Sequence, residues 1–107
     1  MEIQKKGDGS ILTVKIIGRL DTVSALELDE SLKLDGITYL TIDLADLEYI
    51  ASAGLRLLLK MQKKMDAQGT MQIKNVRENI REVLDMTGFS NFLTIVDDKK
   101  PKFSVSF

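Results

Sequence analysis

The stretch TIDLADLEYIASAGLRLLLKMQKKM, Thr41 to Met65, constrains the fold more than any other part of the chain. It starts as a short, β-rich apolar run in which Leu40, Ile42 and Leu44 share one face. It then passes an acidic turn with Asp46 and Glu48, and continues at helical spacing through Leu55, Leu58, Leu59, Met61 and Met65. A change of period from two to 3.6 across one turn predicts a buried strand that feeds directly into a helix. The helix is expected from about Ser52 to Gln68, with Gly69 as its C-terminal glycine. Its exposed side carries Arg56, Lys60, Lys63 and Lys64, read as a solvated face whose cations suit the helix C-terminal dipole. Ala45 to Ile50 is expected to be an irregular loop.

The flanking sequence supplies the partners this strand and helix need. Met1 to Lys6 and Ile11 to Ile17, separated by Gly7-Asp8-Gly9-Ser10, predict an antiparallel hairpin. After Gly18-Arg19-Leu20-Asp21, either Asp21 or Thr22 is placed to cap a helix. Ala25, Leu28 and Leu32, with Leu26 alongside, form its apolar side, and Glu27, Asp29, Glu30 and Lys33 its wet one. Gly36 ends this helix or opens the next loop. Strand, helix, strand over this length favours a parallel crossover. Thr70 to Lys74 reads as another strand. Asn75 with Glu78 has the spacing of a capping box for a third helix, stopped at Gly88. Phe92 to Val96 is a last strand candidate before the Asp97 to Pro101 break. The tail 101–107 alternates with period two and could add a strand. The expected architecture is one α/β domain of 107 residues. A mixed central sheet of four to five strands is flanked by three to four helices.

Composition narrows the chemistry. Neither cysteine nor histidine occurs, which removes disulfides, thiol nucleophiles and the commonest general base and metal ligand. Carboxylates such as Asp43 and Asp46 have no nucleophile–base pair to join, so catalysis is not expected. Nor is a cofactor or metal, since no P-loop and no oxygen cluster has the required spacing. Fifteen basic against 16 acidic residues, a net charge of -1, give nucleic acid no electrostatic foothold. Met1 to Lys6 lacks the apolar core of a secretory signal and no run is long enough to span a bilayer, so a cytoplasmic protein is expected. The alternating tail could pair across a sheet edge, consistent with a monomer or weak dimer.

The chemically distinctive point is the joint Tyr49-Ile50-Ala51-Ser52-Ala53-Gly54-Leu55, where a serine hydroxyl stands beside the free amides of a helix start. Together with the preceding Ile42-Asp43-Leu44-Ala45-Asp46-Leu47-Glu48, it resembles the signature of the STAS domain family, which includes bacterial anti-sigma factor antagonists. The resemblance extends to Gly18-Arg19-Leu20-Asp21 and to Leu84-Asp85-Met86-Thr87-Gly88-Phe89 followed by Phe92-Leu93-Thr94-Ile95. It implies that Ser52 is phosphorylated by a partner anti-sigma factor that is itself a serine kinase. The unphosphorylated chain would bind that partner and free a sigma factor, and a serine phosphatase would reset the cycle. Carried over by position, the partner surface is Asp21, Thr22, Tyr49, Ile50, Ala51, Ser52, Ala53, Gly54, Leu55 and Arg56. Two positions depart from the family pattern. Ala51 stands where an aspartate is usual, and Arg56 where a second glycine is common. The bland reading of Ser52, and of Asp21, is a helix N-cap. Ala51 also leaves open an unswitched STAS subunit of a larger assembly, such as a lipid-transport complex or a signalling platform.

Overall fold

A computed structural model describes residues 1–96, and the expected extra strand in the tail 101–107 lies outside them. The hairpin forms as β1 (Glu2–Asp8) and β2 (Ile11–Leu20), antiparallel, with Glu2 opposite Ile17 and Asp8 opposite Ile11. The chain continues through α1 (Thr22–Ser31), β3 (Tyr39–Asp43), β4 (Leu47–Ile50), α2 (Ser52–Asp66), β5 (Thr70–Lys74), α3 (Glu78–Met86), a 3-10 turn at Phe89–Asn91 and β6 (Ile95–Val96). The main sheet runs β1-β2-β3-β5-β6, and every pairing after the hairpin is parallel. This is the mixed α/β sheet expected, with six strands rather than four to five.

The sixth strand is the main correction. Leu47–Ile50 is not irregular, because it pairs in parallel with the far end of β2. Strand β2 is long enough to serve two neighbours, Ile11 to Lys15 pairing with β3 and Gly18 to Leu20 with β4. Within the β2–β4 pairing the register shifts between Gly18 and Arg19, and the φ of 96° at Gly18 lies in the left-handed region that glycine enters without strain. Its amide is held by Asp46 O at 2.9 Å.

One face of the sheet is apolar. Val14 and Ile16 of β2, Leu40 and Ile42 of β3, and Met71 and Ile73 of β5 are buried there with Leu28 of α1 and Leu58, Met61 and Met65 of α2. Removing a large aliphatic side chain like these from water is worth about 1.5–3 kcal/mol, so the core that seats both helices also fixes their starting points. Gln62, a buried polar side chain on α2, is satisfied: it donates to Asp66 at 2.9 Å and accepts from the Thr94 amide at 3.0 Å.

Three local expectations give way to tertiary contacts. Asn75 does not cap α3; its amide donates to Asp43 at 3.1 Å, and the N-cap position falls to Arg77, with no side-chain bond. Gly69 is not a left-handed cap, since α2 ends at Asp66. It is small because a Cβ there would run into the Thr38 backbone. The last strand is only Ile95–Val96; the 3-10 turn at Phe89–Asn91 ends just before the expected strand, with Phe92 as its exposed C-cap residue.

Candidate functional site

The pairing of β2 with β4 builds the site. Arg19 lies opposite Tyr49 and Leu20 opposite Ile50, and Ala51 N donates to Leu20 O at 2.9 Å. Both strands end at the same level and both turn at once into helices. Asp21 and Ala51, the two N-cap residues, therefore stand side by side with two helix N-termini opening on one edge of the domain.

The two termini are finished differently. At α1 the cap is Asp21, not Thr22. Asp21 Oδ1 accepts from the Ser24 amide at 3.0 Å, and Ser24 Oγ accepts from the Asp21 amide at 2.8 Å. This reciprocal box satisfies two otherwise free amides. The Ser24 amide and hydroxyl, with a smaller contribution from the Arg19 charge, hold the Asp21 carboxyl below its ordinary value. At α2 the N-cap is Ala51, which has no side chain to accept a bond. Ser52 is therefore the first helical residue rather than the cap. It is exposed, and among the described residues its hydroxyl has no hydrogen-bond partner.

The residues carried over as a partner surface separate into two groups. Thr22, Tyr49, Ser52 and Arg56 are exposed, while Asp21, Ala51 and Ala53 are half-buried. Ile50, Gly54 and Leu55 are buried, so they do not present side chains to a partner. They prop the joint from beneath. A Cβ on Gly54 would come within 2.8 Å of Ile50 Cγ1 and 2.9 Å of Leu20 Cγ. The space is already filled by the two residues that pair across β2 and β4.

Other contributors were not singled out from sequence. Arg19 lies over the Tyr49 ring, 4.2 Å from its centroid, and holds that exposed aromatic against the edge. Ser24 completes the α1 cap, a role its three-residue spacing from Asp21 could have signalled. Val23 and Leu26 project from α1 at 66% and 63% exposure, so Leu26, expected alongside the apolar side, faces outward instead. A groove between α1 and α2 begins at this edge, lined by Thr22, Ala25, Leu26, Ala53, Arg56 and Leu57. Among the described residues no His, Cys, Asp or Glu cluster could hold a metal ion, and no helix is long and apolar enough to cross a membrane.

The STAS domain model matches residues 2–100, nearly the whole chain. The chain belongs to the STAS domain family. Two curated relatives of this STAS domain carry related names. A Bordetella bronchiseptica protein named as an anti-sigma factor antagonist, BtrV, is 27% identical over 99 residues, covering 89% of this chain and 84% of its own. A Paenibacillus polymyxa anti-sigma F factor antagonist is 23% identical over 104 residues, covering 92% and 89%. Among solved structures, the anti-sigma factor antagonist SpoIIAA in its unphosphorylated form superposes with a TM-score of 0.72 at 16% identity, over 94% of this chain and 93% of that one. The phosphorylated form of the Bacillus protein superposes at 0.68. These superpositions establish a shared fold, and the β4–α2 joint lies inside residues 2–100 that the STAS domain model matches.

Proposed function

We propose that this STAS domain is an anti-sigma factor antagonist whose partner binding is switched by phosphorylation of Ser52. The carrying observation is the unfinished α2 terminus: an exposed serine hydroxyl with no partner among the described residues, at a helix start that no side chain caps. The names of its relatives support the same reading. The partner is an anti-sigma factor with serine kinase activity. It transfers the γ-phosphoryl of ATP to Ser52 Oγ, displacing the hydroxyl proton and leaving ADP, and a serine phosphatase hydrolyses the ester. The domain itself works by binding. With no histidine or cysteine in the sequence, it has no conventional nucleophile–base pair of its own.

The physical consequence of the modification is local. A phosphoserine adds about -1.5 to -2 charges and three acceptor oxygens. Placed on the first helical residue, those oxygens meet free amides and the positive end of the dipole, so the folded domain accommodates them. The outer surface changes instead. A partner covering Tyr49, Ala51 and Ser52 must desolvate a dianion next to Asp21, and a loss of about 3 kcal/mol lowers affinity roughly a hundredfold.

The test is intact-mass measurement after incubation with ATP and the serine kinase that co-purifies with this chain from its host. One phosphoryl group is expected on the wild type and none on Ser52→Ala. An unmodified wild type, or a modified Ser52→Ala, would overturn the reading. Ser52→Asp is expected to bind the kinase more weakly with little change in melting temperature.

A further inference from the structure

We infer that the groove between α1 and α2 is a second contact for the anti-sigma factor. It receives one large apolar side chain of that partner, with a partner carboxylate about one helical turn away pairing with Arg56. The inference rests on the antagonist reading and assigns it a docking surface beyond the joint itself.

The groove holds about 290 Å³, just under the range typical of small-molecule pockets. It suits a protruding side chain of another protein. Its walls are Ala25, Leu26, Ala53 and Leu57, and its far end is closed by the Asp29–Lys60 ion pair at 2.9 Å. The outer side of α1 continues this apolar surface. A helix that only covers a sheet turns polar residues outward, whereas α1 buries Ala25 and Leu28 and also exposes Val23 and Leu26 one turn apart. Such a patch, adjoining a groove whose other wall includes Ala53 and Arg56 at the start of α2, marks a binding surface more than a solvated one.

Charge selects the occupant. Lys60 is neutralised by Asp29 and Lys64 by Asp35, the latter at 3.2 Å. Arg56, at the mouth of the groove, has no carboxylate partner among the described residues. Its planar fork is suited to a carboxylate, so the complementary partner carries an acidic residue next to its apolar one. Arg56 also lies four residues after Ser52, on the same face of α2. A phosphate on Ser52 would compete for Arg56 and repel the partner carboxylate, so the groove would report the state of the switch.

The experiment measures binding of the full chain to the kinase that phosphorylates Ser52, by calorimetry without ATP. Leu26→Asp and Arg56→Glu are each expected to weaken binding by about tenfold or more. Lys6→Glu, on the opposite end of the sheet, should leave it unchanged. Because Leu26 is exposed, its variants should melt close to the wild type; Leu26→Gln repeats the test without added charge. In amide spectra of the labelled wild type, the unlabelled kinase should shift Ala25, Leu26 and Ala53. If Ser52 is phosphorylated normally while both groove variants bind like the wild type, the groove is not a contact and the antagonist reading stands. If wild-type Ser52 accepts no phosphate, the antagonist reading fails first and takes this inference with it.

Discussion

The starts of α1 and α2 are built alike and finished in opposite ways. Each follows a strand without a loop, and the two strands are parallel neighbours. At α1 the chain meets its own needs, with Asp21 and Ser24 exchanging bonds. At α2 the equivalent position is alanine, and the adjacent serine projects outward. Both termini share a dipole direction, so backbone geometry does not distinguish them. One side chain does. A helix start that is already capped is structural, whereas one left open beside it is available to an added phosphate.

The contrast breaks most severely if α2 cannot seat. Gly54→Val would place new carbon within 3 Å of Leu20 and Ile50. That overpacking is expected to cost about 2–3 kcal/mol in urea unfolding. A stability equal to the wild type would mean that the joint is not braced from below as described.

The next largest effect compares the two caps directly. Asp21→Ala should lower the melting temperature by roughly 4–8 °C, as loss of a helix cap does in a domain of this size. Ser52→Ala should lower it far less, since its hydroxyl bonds to nothing among the described residues. Equal losses would show that Ser52 caps after all. The Asp21 contribution should also depend on pH in one direction. Its folded carboxyl is held below the ordinary value by the Ser24 donors, so the charged form stabilises the fold. That advantage is complete above the unfolded value near ~4 and is lost as pH falls through the lower folded value. The melting gap between wild type and Asp21→Asn should therefore close from about pH 5 downward. A gap constant to pH 2 would contradict the geometry.

These outcomes also mark how far residues alone could carry the fold and site. The run from Thr41 to Met65 was readable because its strand and helix each keep their own period over a sufficient length. Strand β4 was not, because only Leu47 and Ile50 face the core, with Glu48 and Tyr49 between them exposed. That spacing matches no strand pattern, and the strand exists because β2 offers it an edge. Asn75 fits a capping box by spacing alone, but Asp43 is an alternative partner visible only in three dimensions. At the site, Ser52 could be located by its motif and Asp21 by its capping chemistry. The burial of Ile50 and Leu55, and the exposure of Val23 and Leu26, depend on how each helix is rotated about its axis. Helix α1 has apolar residues on more than one side, so periodicity could not set that rotation.

The smallest effect tests the comparison at its source, by giving α2 the cap it lacks. Ala51→Asp places a carboxylate where Asp21 stands in α1, and should add about 1 kcal/mol to unfolding stability. In the wild type, phosphorylation of Ser52 should itself add about 0.3–1 kcal/mol, because the phosphate meets unsatisfied amides and the dipole. In Ala51→Asp those amides are already taken and the new carboxylate faces the dianion. The phosphate increment should therefore vanish or change sign. Thermal unfolding of wild type and Ala51→Asp, each with and without phosphate on Ser52, forms a closed cycle whose interaction energy isolates this competition. Additive increments would mean that cap and phosphate use different amides, and that Ala51 is not what keeps the α2 terminus open.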